Sequence, residues 1–213
     1  MGIISKGILG GFSGLVGTVV GGNWNGIDYM RSKPTKRSAA SYSPAQVDQQ
    51  LKFGVAMRFL QSLGELPEHT FHRYAVQKTG RNIALSHLLK HAITGDSPAF
   101  TIDYSKVLVS RGNLAMAPGA AAALGVANRV NFTWTNNTGL NGAKDSDKAI
   151  VVVHCPMLNT SLYDLATTTR SAEAASLDAS LFYGQTVHTW IGFISEDGKE
   201  VASSLYTGSL VVS

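Results

Sequence analysis

Residues 187–200 read VHTWIGFISEDGKE, and this stretch decides the fold. β-Branched, aromatic and other apolar residues dominate from Val187 to Ile194, and the run stops at Glu196-Asp197-Gly198-Lys199, an Asp-Gly turn of the kind that joins antiparallel strands. Beyond the turn, Val201, Leu205, Tyr206 and Leu210 to Val212 supply the final strands. Upstream, Ala149 to Val153 is a continuous apolar run of buried type, and Val130, Phe132 and Trp134 alternate strictly with polar residues. About six or seven strands with turns between them in residues 126–213 predict an immunoglobulin-like or fibronectin-like antiparallel β-sandwich. The Cys–Trp–Cys framework of antibody domains is absent, since Cys155 is the one cysteine.

Further upstream the period changes. Phe100, Ile102, Tyr104, Val107 and Val109 read as a strand, and the alanine-rich piece Ala115 to Ala127, with Pro118 and Gly119, reads as a hinge. Residues 43–97 read as helical. Ser43-Pro44 pairs a capping residue with a first-turn proline, and Val47, Leu51, Val55, Phe59 and Leu63 recur at helical spacing until Gly64 and Pro67 stop the run. A second helix is expected over 68–78. A third is expected over 81–94, with Ile83, Ala84, Leu88, Leu89, Ala92 and Ile93 on its apolar side and Gly95 as its stop. The expected fold is therefore α+β in four parts: an N-terminal glycine-rich apolar arm and basic linker (1–42), a small helical unit (43–97), a strand and hinge (98–125), and the sandwich (126–213).

Composition removes several classes. With 213 residues, 44% hydrophobic and 15% charged, 22 glycines, six prolines and one cysteine, the chain is no collagen, disulfide-stapled miniprotein or charge-rich disordered tail. The net charge of +4 hides an asymmetry: residues 1–94 carry eleven Lys and Arg against four Asp and Glu, and residues 95–213 carry seven against ten. Opposite halves of +7 and −3 suit head-to-tail contact between identical copies, and a basic half also suits nucleic acid or an anionic surface. Nine of the glycines lie in residues 1–26, among Ile3, Ile4, Ile8, Leu9, Phe12, Leu15, Val16, Val19 and Val20. Short β-branched pieces joined by glycine turns describe this opening better than a helix. The glycines interrupt any signal-peptide core or membrane span, and Lys6 occupies the position where myristoylation wants Ser or Thr. No membrane span and no cleavable signal are expected, which points to a cytoplasmic protein or one released in an assembled particle.

No constellation names a reaction. His87 and His91 stand one helical turn apart, the spacing of two zinc ligands, but the Glu of HExxH is missing, and neither His69 nor His72 comes with a cysteine or acidic cluster. No GxSxG elbow exists, and Ser195 precedes a hairpin turn rather than a helix. No glycine pair is spaced as GxG, and GKS and GKT are absent, which argues against phosphate-cradling loops. Asp145 and Asp147, with Asn136, Asn137 and Asn141, offer oxygen ligands of calcium type without the twelve-residue EF-hand order, and a turn-rich loop is the preferred reading. Glu196 and Asp197 are adjacent in a tight turn and cannot face each other across a cleft as glycosidase carboxyls do. Tyr163, Tyr183, Trp190 and Tyr206 are the aromatics a sugar-binding sandwich would expose, whereas Trp134, Phe132 and Phe193 read as core. No cofactor, metal or catalytic residue is expected, and the chain reads as a non-enzyme.

The opening GIISKGILGGFSGLVGTVVGGNWNGIDYMRS (2–32), the central IDYSKVLVSRGNL (102–114), and Trp190-Ile191-Gly192-Phe193 followed by SEDGK, Ser204, Tyr206 and Gly208 resemble a family of uncharacterised proteins of Bacteroidota. The resemblance covers essentially the whole chain. It implies a bacterial origin and carries over no catalytic residue. VGTVVGGNWNGIDYMRS is also similar, locally, to segments of virion and tail-associated proteins.

The reading is a structural, self-assembling protein forming a filament, tube or virion- or tail-like particle, in which the arm adds as strands to a neighbouring copy. Ile3, Ile4, Ile8, Leu9, Phe12, Leu15, Val19 and Trp24 form the expected apolar contact, and Arg31, Lys33, Lys36 and Arg37 pair with acidic groups of the next subunit. The alternative is a basic nucleic-acid-binding protein, since Trp24 and Tyr29 interleave with those cations. A carbohydrate-binding module ranks third.

Overall fold

The computed structural model describes residues 2–4, 10–24, 26–35, 42–74, 77–165 and 167–213. It divides into two compact units, Met1–Gln46 and Val47–Ser213.

The first unit is a β-meander. Strands β1 (Ile3–Ile4), β2 (Phe12–Val16), β3 (Val19–Trp24) and β4 (Ile27–Ser32) form one antiparallel sheet in chain order. Gly17 and Gly26 adopt φ of +58° and +85° in the two tight turns, a conformation costly for any residue with a Cβ. The sequence expectation of short glycine-joined strands thus holds, but the four described strands pair with one another into a sheet rather than lying as an extended arm.

In the second unit helices and strands share cores. Helix α1 (Pro44–Ser62) begins with a reciprocal cap: Gln46 N–H donates to Ser43 Oγ at 3.4 Å, and Ser43 N–H donates to Gln46 Oε1 at 3.0 Å. Gly64 (φ +58°) ends it as expected. The second helix is shorter than expected, α2 (Leu66–Thr70) followed by a 3₁₀ turn at His72–Tyr74. The third, α3 (Gly80–His87), continues into a π-helical turn (Leu88–Ala92). Gly95 lies in the turn of a small hairpin, β5 (Ile93–Thr94) with β6 (Thr101–Ile102), and does not cap the helix. The expected strand from Phe100 to Val109 is reduced to β6, because Thr70 Oγ1 donates to the Val109 carbonyl and the Ser204 hydroxyl accepts from Val109 N–H, replacing ladder bonds.

Seven further strands follow: β7 (Ala121–Leu124), β8 (Arg129–Thr133), β9 (Lys148–Cys155), β10 (Thr160–Asp164), β11 (Ala174–Asp178), β12 (Thr186–Ile194) and β13 (Leu205–Val211). They form two antiparallel sheets, of order β10-β9-β12-β13 and β11-β8-β7. The segment read as a hinge thus contains β7. The Asp-Gly turn is present, with Ser195 N–H donating to the Glu200 carbonyl at 2.8 Å and Gly198 at φ +72°.

Val130 and Phe132 of one sheet and Val151, Val153, Ile191 and Phe193 of the other lie in one core. On its other face the four-stranded sheet carries Ile150, Val152 and Trp190, which share a second core with Phe59, Leu60, Leu63, Leu88 and Ala92 of the helices. The helices therefore cover a sheet and are no separate unit. Two covered faces explain why Ala149–Val153 is apolar without alternation. No helix among the described residues is long and apolar enough to cross a membrane.

Candidate assembly surface

Pairing and pleat assign the side chains of the first unit to two faces. Gly14 lies opposite Gly21 and Gly21 opposite Met30, so Phe12, Val16, Val19 and Met30 share one face with Ile4. Leu15 lies opposite Val20, Gly22 opposite Tyr29, and Trp24 opposite Ile27, so these and Arg31 share the other with Ile3. Gly21 is the one buried residue among those described in Ile3–Ser32. A Cβ there would overlap the Phe12 carbonyl and ring, which is why two glycines meet at the β2–β3 pair. Most of the sheet's apolar side chains stay in solvent: Met30 is 71% exposed, Ile27 58% and Trp24 54%, while Phe12 and Val20 are half-buried. Every residue of β4, an edge strand, is exposed.

Of the residues expected to mediate assembly, Ile3, Ile4, Phe12, Leu15, Val19, Trp24 and Arg31 are brought together on this sheet. Lys33 follows β4, and its N–H donates to the Thr18 carbonyl at 2.7 Å. Ile8, Leu9, Lys36 and Arg37 lie outside the described residues.

The other chemistry-bearing residues take structural positions. Asp147 is buried against Arg170, whose Nε donates to its Oδ2 at 3.1 Å; Arg170 also donates to Asn137 Oδ1 (2.6 Å) and the Ala115 carbonyl (2.8 Å) and lies over the Phe193 ring at 4.1 Å. Asp145 accepts from Asn136 Nδ2 (2.9 Å) and Thr138 Oγ1 (2.7 Å), bonds that lower its carboxyl pKa. The two aspartates thus serve different partners in this turn-rich loop. Of the four aromatics considered for sugar, Trp190 is fully buried, Tyr163 and Tyr206 pack on the helix–sheet core, and Tyr183 is exposed. They form no common platform. Trp134, Phe132 and Phe193 are core, and Cys155 is buried and free.

A polar row invisible to sequence spacing crosses the helix-facing side of the four-stranded sheet. His154 on β9 pairs with Ser161 on β10 and His188 on β12. His154 Nδ1 lies 2.9 Å from Ser161 Oγ and 3.3 Å from Ser62 Oγ on α1, while His188 Nδ1 lies 2.8 Å from Tyr206 Oη and its ring stacks on Tyr104. Burial, reinforced by nearby His188, pushes the His154 pKa down to about 4, and burial lowers that of His188 as well. In this serine–histidine contact Ser62 Oγ donates to the Phe59 carbonyl at 2.7 Å, and His154 is 1% exposed.

No curated protein and no solved structure matches the chain. A family profile, however, matches residues 11–208. The chain belongs to this family of unknown function, DUF6266. In this DUF6266 chain the match begins just before β2 and runs into β13, so it includes three strands of the exposed sheet together with the helices and both further sheets.

The DUF6266 chain also assembles one cluster that sequence reading divided. His87 and His91 border a cleft with Lys78, Lys90 and Arg111, whereas His72 bonds the Lys199 carbonyl at the Asp-Gly turn. Spacing along one helix found the two histidines. Nothing in the sequence ties Arg111 to them.

Proposed function

We propose that this protein is a structural subunit that assembles with copies of itself into a filament, tube or particle, with the N-terminal sheet as the contact. The carrying observation is a four-stranded sheet with apolar side chains in solvent on both faces and one buried residue among those described. A small sheet needs an apolar face covered to be stable, and exposed patches of this kind mark association sites. A second copy is the occupant because the chain is its own electrostatic complement, with +7 in residues 1–94 and −3 in residues 95–213. The open edge of β4 offers backbone donors and acceptors for strand addition. Because the meander pairs with itself, the open element is that edge and the apolar faces, rather than residues 3–20 as free strands. Pairing β4 with β4 closes a dimer; pairing β4 with a different edge propagates.

The seven strands support a fibronectin-like reading of the second unit. Counted from β7, the first, second and fifth strands form one sheet, and the fourth, third, sixth and seventh form the other. In a constant-type immunoglobulin sandwich the fourth strand joins the first sheet. Here it pairs with β9, and a layer of helices covers the larger sheet.

The test images full-length protein and an Ile27→Lys/Met30→Lys variant by negative-stain electron microscopy, with masses in solution. Regular polymers for the full-length chain and a folded monomer for the variant are expected. Two folded monomers would overturn the reading and favour the nucleic-acid alternative, in which Trp24, Tyr29 and Arg31 on one sheet face contact bases and phosphates.

A further inference from the structure

The second unit carries a cleft of about 350 Å³ whose chemistry is one-sided. Helix α3 and its π-helical continuation form one wall. Asn82, Ser86 and Lys90 follow at four-residue steps, as do Ile83, His87 and His91, so a single helix surface presents all six. The His87 and His91 rings lie 4.7 Å apart between centroids, at the start of and within the π-helical turn. Thr79 fixes the start of this helix by accepting from Asn82 N–H at 3.2 Å. Opposite stands Arg111, whose backbone N–H donates to the Thr70 carbonyl at 3.1 Å and whose guanidinium lies over the Tyr74 ring at 4.8 Å. Lys78 closes one end.

No Asp or Glu lines the cleft, and none of the ion pairs among the described residues uses Lys78, Lys90 or Arg111. Like charges brought together repel, and a protein surface ordinarily relieves this with an acidic neighbour. His87 Nδ1 is buried without a partner. The His87 ring is held toward its neutral form by burial first, then by His91 and Arg111. Aliphatic wall is scarce, Ile83 being its one contribution. The cleft thus offers donors and positive charge, and a ligand must bring acceptors and negative charge.

We propose that this cleft binds a compact phosphate-type polyanion, a di- or triphosphate group, held by Lys78, Lys90 and Arg111 with Asn82 and Ser86 donating to its oxygens. The volume exceeds what a single phosphate fills, and two lysines with a planar guanidinium match several oxyanion oxygens at once. The site is independent of the assembly surface, and its success or failure leaves that reading untouched.

Isothermal titration of the full-length protein with inorganic orthophosphate, pyrophosphate and tripolyphosphate tests the proposal, with ATP as a further arm. Pyrophosphate and tripolyphosphate are expected to bind at least about 10-fold more tightly than orthophosphate, and Lys90→Ala and Arg111→Ala each to weaken them about 10-fold, the loss of one charge-assisted contact. Lys199→Ala, on the Asp-Gly turn, should leave binding unchanged, and circular dichroism confirms that each variant is folded. ATP binding like tripolyphosphate identifies an inorganic or generic phosphate ligand; ATP binding more tightly shows that the base adds contacts, with the same phosphate site. No heat with any phosphate below millimolar concentration, or affinity unaltered in folded Lys90→Ala and Arg111→Ala, overturns the proposal. So does binding only to oligonucleotides, growing with their length.

Discussion

Arg170 and Asp147 form a buried ion pair in the β-rich unit. The pair is 0% and 1% exposed, and the guanidinium ties the Asn137 and Ala115 loops to the larger sheet. Removing one member of such a pair leaves the other charge buried, so Asp147→Ala is expected to lower stability by about 3–5 kcal/mol, whereas Asp147→Leu/Arg170→Met costs less; urea unfolding measures both. His154 gives the chain a pH dependence of definite sign. Its folded pKa of about 4 lies below the ordinary value of 6.5, so between these the unfolded chain binds the proton and the folded chain does not. Stability from this group is full above pH 6.5 and is lost as pH falls toward 4. Urea midpoints across pH 4–7 should drop on acidification for the wild type and drop less for His154→Gln, which keeps a partner for Ser161.

Among the elements, helix α1 and the N-terminal sheet had the clearest sequence signatures. Ser43 caps the helix as the serine–proline start suggested, Gln46 making the cap reciprocal, and Ser43→Ala is expected to cost about 1 kcal/mol in thermal unfolding. The glycine-joined strands of the opening were legible because a chain with φ above zero at Gly17 and Gly26 must turn there. Their partners were not legible, since an apolar strand can pair within its own chain or with another equally well. Gly21→Val places a side chain on the Phe12 carbonyl and ring. It is expected to break the meander and abolish polymers while leaving the melting transition of Val47–Ser213 in place, checked by electron microscopy and differential scanning fluorimetry. The expected 68–78 helix is shorter and starts earlier, whereas the helix expected over 81–94 runs from Gly80 to Ala92, its last turn π-helical. Helical apolar spacing marks a buried face but carries no signal for a π turn or for a hairpin that begins at Ile93.

As a molecule, the chain joins a unit with an exposed apolar sheet to a unit with two cores. If the proposed assembly forms and opposite charges guide it, raising sodium chloride to about 0.5 M should slow its growth, with apolar contacts retaining part of the final mass; light scattering against salt records both. A growth rate insensitive to salt would assign the contact to apolar surface alone.

The order of α and β segments, the Asp-Gly turn, the cap at Ser43, the stop at Gly64 and the apolar character of the opening were determined by the sequence alone, because each depends on neighbours within a few residues. Burial of β9 on both faces, the meeting of Arg170 with Asp147, the row from Ser161 through His154 to His188, and the approach of Arg111 to the α3 histidines were decided only by tertiary structure. Apart from Ser161 with His154, which a short hairpin joins, those contacts bring together residues 20 or more positions apart, and local periodicity carries no information about which distant strand or loop will lie alongside.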